Sequence, residues 1–283
     1  MNPDSVTLGP LQAEDLTAAT GLSAALGWPY RPEDWTFAHR LGRGFALKLD
    51  GRLIGTAMGW DYGADFATVG MIIVDAALRG MGLGARLVDA LIDQAGSRSI
   101  VLNATSDGLE LYRRRGFVGI GTTCQHQGLL AAAETEPCEA GLTVSPARDA
   151  DWQALIALDG KAAGMPRDVL LNALAVQGKA IVLRGRDGAL LGYAISRQFG
   201  RGHVIGPVVA PDLAAAKTLI TEAVKGLEHC FVRVDTPAQS GLGSWLERSG
   251  LPLVDKVEAM VRGPLPTTTP SARIFALCSQ SLG

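Results

Sequence analysis

Apolar residues along the chain follow two spacings, one helical and one strand-like, and their order predicts a regular series of elements. The first half predicts helices over 14–26 and 33–41, strands over 45–49, 53–60 and 69–74, a helix, and a strand over 100–103. The second half predicts helices over 151–158 and 167–175, strands over 180–183, 189–196 and 204–209, a helix, and strands over 231–235 and 274–278. This order indicates an α/β fold class with a mixed, α+β type of sheet.

Each half contains an Asp-Gly pair between two apolar runs, at Asp50-Gly51 and at Asp187-Gly188. Asp-Gly between strand-like runs favours a type I′ hairpin turn, because both central residues of that turn need a positive φ. We therefore expect one β-hairpin in each half.

The two halves also resemble each other residue by residue. The segment GRLIGTA at 51–57 resembles GALLGYA at 188–194, and Gly70 in a β-branched run matches Gly206. Five such matches occur in the same order at nearly one offset, which indicates duplication of one fold. We expect one domain over residues 1–133 and a second over 140–283, joined by an aperiodic seam at 131–141.

The composition and the net charge exclude several classes of protein. Hydrophobic residues make up 47% of the 283, and the net charge of −2 provides no basic face for nucleic acid. No apolar run is long enough to span a membrane, no basic and apolar leader opens the chain, and no histidines or cysteines have the spacing of metal ligands. The four cysteines, including Cys138, lie far apart and are expected to be reduced thiols of a cytoplasmic protein.

The segment 79–84, RGMGLG, lies between a buried strand and an amphipathic helix. Glycines there let a ligand approach backbone N–H groups, and a helix N-terminus favours an anion. Arg79 adds a positive charge. Close helix packing without any ligand is the competing interpretation.

Two nucleotide motifs fit this loop poorly. Gly80, Gly82 and Ala85 satisfy the dinucleotide pattern, but five residues separate Val74 from Gly80 and no acidic residue follows at the ribose position. The Walker pattern fails because no Gly-Lys-Ser/Thr follows.

RGMGLG at 79–84, followed by LYRRRGF at 111–117, resembles the GCN5-related N-acetyltransferase (GNAT) superfamily. The first segment is similar to its R/Q-x-x-G-x-G/A pyrophosphate loop and the second to its L-Y-x-x-x-G-F segment. With its weaker second copy, the chain resembles tandem bacterial members in which a degenerate domain follows a complete one. The resemblance implies two tandem acyl-CoA N-acyltransferase folds.

The resemblance also implies a site for acetyl-CoA, the co-substrate. Its contacts would come from Ile72, Ile73, Val74, Arg79, Gly80, Met81, Gly82, Leu83, Gly84, Thr105 and Tyr112. Tyr112 would lie near the coenzyme sulfur and donate a proton to the leaving thiolate. Thr105 and Gly108 stand where many relatives carry Asn and Ala, and no glutamate base is evident; Asp61, Asp65 and His39 are candidates.

The same resemblance implies an acceptor site lined by aromatic residues, for which we predict Trp28, Tyr30, Trp60 and Tyr62. The segment aligned with the glycine loop in the second half, DLAAAK at 212–217, has no glycine, so we expect no productive coenzyme binding there. The sequence thus predicts an acetyl-CoA-dependent N-acetyltransferase that acts on an amine by direct transfer. A non-catalytic acyl-CoA-binding module is the alternative, and a nicotinamide enzyme is a distant third.

Overall fold

A computed structural model describes residues 5–130 and 140–283. The first half comprises β1 (Val6–Pro10), α1 (Leu16–Ala25), α2 (Pro32–Leu41), β2 (Arg43–Leu49), β3 (Arg52–Tyr62), β4 (Phe66–Val74), α3 (Leu83–Ala95), β5 (Ser99–Ala104), α4 (Leu109–Arg113) and β6 (Val118–Leu129). Most of the predicted seam at 131–141, with Cys138, lies outside the described residues.

The second half repeats this order. It comprises β7 (Thr143–Pro146), α5 (Trp152–Ala163), α6 (Asp168–Gln177), β8 (Gly178–Arg184), β9 (Leu190–Phe199), β10 (Gly202–Ala210), α7 (Leu213–Ala223), β11 (Phe231–Pro237), α8 (Gly243–Arg248), β12 (Leu253–Arg262) and β13 (Arg273–Ala276). All the predicted elements are present with ends shifted by a few residues, which confirms the mixed α/β class. No helix in the described ranges is long and apolar enough to cross a membrane.

The two hairpins differ in their turns. Asp50 and Gly51 have φ values of 50° and 81°, so the predicted tight turn is confirmed. In the second half β8 ends at Arg184 and β9 begins at Leu190, so the connection is a longer loop. Only Gly188 of the second pair has a positive φ, 80°. The two-residue turn expected there was therefore wrong.

The thirteen strands form a single sheet in which the two halves exchange a strand. Its order is β1-β2-β3-β4-β5-β12-β6-β11-β10-β9-β8-β7, with β13 paired to β10. β12 pairs antiparallel with β5, and β6 lies between β12 and β11. The last long strand of each half therefore extends the other half's part of the sheet.

The helices bury one core that joins the two halves and two further cores that each belong mainly to one half. Trp35 of α2, Leu155 of α5 and Leu171 of α6 share a cluster that spans both halves. α3 packs Leu87 and Leu91 against β2, β3 and β4. Because each fully buried leucine side chain contributes about 2 kcal/mol, these faces hold α3, and with it the glycine loop, against the sheet.

Candidate functional site

A cleft opens in the first half where β4 and β5 diverge. The two strands pair in parallel only at their beginnings, where Phe66–Thr68 of β4 lie beside Ser99–Val101 of β5. Beyond this point β4 has an irregular register against β3, and Met71 takes a positive φ of 51°. The Thr56 hydroxyl, which is fully buried, donates to the Met71 carbonyl at 2.9 Å and holds this bulge.

The bulge leaves one edge of β4 without a strand partner in the described residues. Asp75 N–H donates to the Ile54 carbonyl of β3 at 2.8 Å. Since peptide groups alternate along a strand, the N–H and carbonyl of Val74 face away from β3 and into the cleft. Ile72, Ile73 and Val74 all line it, as the resemblance implied.

The glycine loop closes the other end of this cleft, which we call the glycine-loop cleft. The cleft is a cavity of about 490 Å³. Besides the β4 residues, it is lined by Leu78, Arg79, Gly80, Gly82, Leu83 and Gly84. Gly82 is the N-cap of α3 with φ 76°, and no side chain caps the helix. The first N–H groups of α3 and its positive dipole end are therefore free to bind an anion. Arg79 makes only an exposed ion pair with Asp107 at 3.4 Å, which leaves its charge available.

Two of the predicted loop residues contribute differently from the rest. The Met81 side chain is 40% exposed and does not line the cleft, so its contribution is limited to its backbone. Leu83 lines the cleft, but most of its side chain packs into the core of the first half.

A second cavity, of about 360 Å³, adjoins the first and is called the central cavity here. Trp28, Tyr30, Gly70, Asn103, Gln125 and Arg233 are among the residues that line it. Leu26, Trp28, Ile72, Thr105, Tyr112 and Asp255 line both cavities. The sequence-predicted residues Thr105 and Tyr112 therefore lie where the two cavities meet.

Tyr112 is held in this place by its ring. The ring packs edge-on against Phe117 with 5.8 Å between centroids. A Cβ built on Gly108 would lie 2.7 Å from Tyr112 Cε2, so glycine at 108 makes room for the ring. Burial raises the pKa of Tyr112 to about 12, and within the described chain its hydroxyl has no hydrogen-bond partner. Tyr112, with a protonated hydroxyl that has no partner in the described chain, therefore lies at the junction of the two cavities.

The aromatic residues predicted for the acceptor site divide into two groups. Trp28 and Tyr30 line the central cavity, with ring centroids 6.5 Å apart. Trp60 and Tyr62 do not, because both are buried in the core: Trp60 Nε1 donates to the Ala38 carbonyl at 2.9 Å and the Tyr62 hydroxyl to the Leu282 carbonyl at 2.7 Å. Trp60 and Tyr62 lie two residues apart on β3, so both side chains are on the same face of the sheet, and this face is buried in the core.

The three candidate bases lie elsewhere. Asp61 pairs with Arg43 at 2.6 Å, and His39 Nε2 lies 3.0 Å from the Leu11 carbonyl. Neither they nor Asp65 line the two cavities. Asp255 of β12 does, and it is the only carboxylate among the described residues of the central cavity.

Sequence reasoning missed the residues that reach the central cavity from elsewhere in the chain. These are Gln125 and Gln127 of β6, Arg201, Arg233 of β11, Asp255 of β12, and Gln280. The polar residues Gln125 and Gln127, two positions apart, indicated a polar face on a strand. No local feature of the sequence showed in which half of the molecule that face would line a cavity.

The second half has no open counterpart of the glycine-loop cleft in its described residues. β10 and β11 also pair only briefly, at His203 and Val204, and β13 then pairs with β10. The strand-like segment around β13 also bonds to β11: Thr236 Oγ1 donates to the Phe275 carbonyl at 2.7 Å, and Leu277 N–H to the Asp235 carbonyl at 2.8 Å. The divergence that forms a cleft in the first half is thus filled by protein in the second.

Comparison with known proteins gives the same two-part organisation. A model described as acetyltransferase (GNAT) family matches residues 14–117, and one described as acetyltransferase (GNAT) domain matches 155–276. The uncharacterized N-acetyltransferase YitH of Bacillus subtilis (strain 168) is 29% identical over 281 residues, which cover 96% of this chain and 97% of that protein.

Two solved structures share the fold over nearly the whole chain. A putative acetyltransferase from Pyrococcus horikoshii has a TM-score of 0.81 at 17% identity, covering 100% of this chain and 98% of its own. A tandem GNAT protein from the clavulanic acid biosynthesis pathway has a TM-score of 0.66 at 15% identity, covering 92% of this chain and 99% of its own. The chain belongs to the GNAT acetyltransferase superfamily and carries two of its domains in tandem.

Proposed function

We propose that the protein is an acetyl-CoA-dependent N-acetyltransferase that acetylates a small-molecule amine by direct transfer at one site in the first half. The observation that carries this proposal is the junction of the two cavities at Tyr112. One cavity ends at a bare helix N-terminus suited to a diphosphate, and the other is a separate polar space of about 360 Å³ for an acceptor.

The residues around the glycine-loop cleft fit coenzyme A. The N–H groups at the start of α3 and the Arg79 guanidinium would hold the diphosphate. The free edge of β4 at Ile72–Val74 would pair with the amide-containing arm, which delivers the thioester to Tyr112. A β4 N–H facing the cleft, such as that of Val74, can stabilise the oxyanion that forms when an amine attacks a thioester.

The raised pKa of Tyr112 defines what its hydroxyl does. With a pKa of about 12, the hydroxyl stays protonated at every physiological pH. Complete proton transfer to a thiolate of ordinary pKa ~8.5 would be uphill by roughly 5 kcal/mol. Tyr112 therefore stabilises the departing sulfur by donating a hydrogen bond, rather than by giving up its proton as the sequence-based expectation held.

Asp255 accepts the proton that the acceptor must lose. An alkylammonium group of pKa ~10 is not nucleophilic, so the amine attacks as its free base. Attack on the thioester makes the amine N–H groups much more acidic, and one of these protons must leave as the C–N bond forms. Asp255 lines both cavities, so its carboxylate can receive this proton directly or through one water and pass it to solvent. The residue belongs to β12, and so the second half completes the site of the first.

The test is release of free thiol from acetyl-CoA across a panel of small amines. We expect thiol release with at least one amine, reduced about 100-fold in kcat at pH 7 by Asp255→Asn and by Tyr112→Phe. The wild type and Asp255→Asn should both become faster as the pH approaches ~10, because the free amine then predominates. Asp65→Asn, an exposed carboxylate outside both cavities, is the matched control and should leave kcat unchanged.

Binding of acetyl-CoA at one equivalent per chain, without thiol release for any amine, would contradict the proposal and favour a non-catalytic acyl-CoA-binding module. Two equivalents per chain would contradict the assignment of a single site.

A further inference from the structure

The wall of the central cavity that belongs to the second half carries two arginines. Arg233 lies on β11, and Arg201 lies in the turn between β9 and β10. That turn is fixed to the first half, because the Gly200 N–H donates to Asp34 Oδ2 at 2.9 Å. Neither arginine is needed to bind coenzyme, since neither lines the glycine-loop cleft.

Arg233 is buried, and its side chain is held in one orientation. It is 8% exposed, its Nε donates to Asp235 Oδ2 at 2.9 Å, and its guanidinium carbon lies 5.4 Å from the centroid of the Phe199 ring. Asp235 is itself fully buried and also accepts from Gln280 Nε2 at 3.3 Å. Within the described residues, neither Nη of Arg233 has a hydrogen-bond partner.

A second arginine–aspartate pair in the same half has a different geometry. Arg167 grips Asp159 through two parallel bonds, Nε to Oδ2 at 2.9 Å and Nη2 to Oδ1 at 2.6 Å. Arg233 engages its carboxylate through Nε alone and leaves its terminal NH₂ groups, which suit an anion best, at the cavity. The Nη atoms of Arg233 are not among the buried polar atoms that lack a partner in the described residues, so they remain accessible and can bind an anionic ligand.

Arg201 and two amides extend this positive wall. The Arg201 guanidinium carbon lies 5.6 Å from the centroid of the Phe231 ring, and the described chain gives it no ion-pair partner. Gln125 Nε2 donates to Gln127 Oε1 at 3.0 Å, which turns the Gln127 amide nitrogen into a free donor beside Arg233. Hydrogen-bond donors thus accumulate at this end of the cavity.

Asp255, the single carboxylate among the described residues that line the central cavity, lies at the opposite end. Gln125 is opposite Asp255 on one side, and Gln127 is opposite Arg233 on the other. Two strand spacings and two residues separate Asp255 from Arg233, which corresponds to ~12 Å between their Cα atoms. The cavity is therefore negative beside Tyr112 and positive beside Arg233.

We infer that the acceptor is an amine that also carries an anionic group, a carboxylate or a phosphate, which Arg233 and Arg201 bind while the amine faces Asp255 and Tyr112. The inference rests on the proposed function, because it assigns the substrate class of the same site. The second half then contributes substrate specificity as well as structure.

The experiment compares matched amines by KM in the thiol-release assay. Lysine is paired with cadaverine, tyrosine with tyramine, and phosphoethanolamine with ethanolamine, so that each pair differs by the anion. We expect KM to be at least 10-fold lower for the anionic member of one pair, and the pair that shows it distinguishes carboxylate from phosphate.

Variants then locate the effect. Arg201→Gln changes an exposed side chain, and the double variant Arg233→Gln with Asp235→Asn removes the buried charges together so that neither remains unpaired. Each should raise KM for the anionic amine about 10-fold, while KM for its neutral partner and for acetyl-CoA changes less than 3-fold. Arg273→Gln is the matched control, since Arg273 also stacks on an aromatic ring, Phe275, but lies outside the cavity.

Equal KM values within every pair, or a loss that affects both members equally, would overturn the inference while leaving the proposed function standing. If no amine releases thiol, the proposed function fails. In that case the inference is still tested by calorimetric titration with the anionic amines in the presence of coenzyme A. It requires that an anionic amine binds, that the arginine variants weaken this binding, and that Arg273→Gln leaves it unchanged.

Discussion

Gly108 lies directly against the ring of Tyr112, and the absence of a side chain at position 108 allows the ring to lie where it does. A Cβ at 108 would come within 2.7 Å of Cε2 and 3.4 Å of Cζ, closer than carbon atoms pack. The same ring is also in edge-on contact with Phe117. The ring could make room only by shifting, and its hydroxyl would shift with it.

Gly108→Ala should therefore lower kcat about 10-fold and leave the KM for acetyl-CoA within 3-fold, because the hydroxyl moves and the loop does not. Gly21→Ala is the control: Gly21 is on α1 with nothing within 4 Å of a built Cβ, and alanine favours a helix there. Equal kcat values for the two variants would show that the Tyr112 hydroxyl tolerates displacement.

Elements that depend on neighbours in sequence could be predicted from the sequence, and they include most of the glycine-loop cleft. The Asp50-Gly51 turn, the amphipathic α3 and the glycine loop before it are set by a few adjacent residues. Trp60 and Tyr62 were misplaced because aromatic type alone does not tell a pocket wall from a core. The face they occupy is decided by what packs on it, here Ala38 and Leu282.

At the element scale, the N-terminus of α3 separates two roles for glycine. Gly82 needs a φ of 76°, which disfavours a side chain by about 1–2 kcal/mol, while a Cβ on Gly84 would make only ordinary contact, 3.5 Å from Leu111 Cδ2.

Gly82→Ala should therefore raise the KM for acetyl-CoA at least 10-fold, and Gly84→Ala less than 3-fold, measured by initial rates at saturating amine. Thermal unfolding of both variants serves as the control for folding. A reversed order of the two effects would show that close approach at 84, and not backbone conformation at 82, limits diphosphate binding.

The whole molecule is defined by the exchange of β6 and β12, and this exchange was beyond the sequence pattern. Residues of β12 pair with residues of β5 that lie about 160 positions earlier, for example Met260 with Leu102, and no local signal indicates such a partner. The same exchange brings Asp255 to Tyr112 and Gln127 to Arg233. Most of the cavity-lining residues that the sequence failed to predict therefore reach the cavity through long-range strand pairing.

The surroundings of the four tyrosines, three of them buried and Tyr30 half-buried, make a further prediction at this scale. The pKa of each one is raised, by burial above all: Tyr30, Tyr62, Tyr112 and Tyr193. The native protein thus keeps protons that the unfolded chain loses above pH ~10, so the free energy of unfolding must fall as the pH rises above 10. The decrease is about 1.4 kcal/mol per pH unit for each tyrosine that stays protonated in the native state.

Urea unfolding at pH 9, 10 and 11 measures this decrease, and absorbance at 295 nm reports tyrosinate in each state. Tyr62→Phe should make the slope shallower by one tyrosine's share. Tyrosinate absorbance in the folded protein at pH 10.5 would contradict the prediction.

The segment that fills the second half's cleft also serves the first half. After β13, the Gln280 carbonyl accepts from Asn103 Nδ2 at 2.8 Å, and Ser281 packs against Gly70. Gln280 and Ser281 are also among the residues that line the central cavity. Removing the segment to open a cleft in the second half would therefore also remove part of the wall of the central cavity, so the shape of one half cannot be changed here without changing the other.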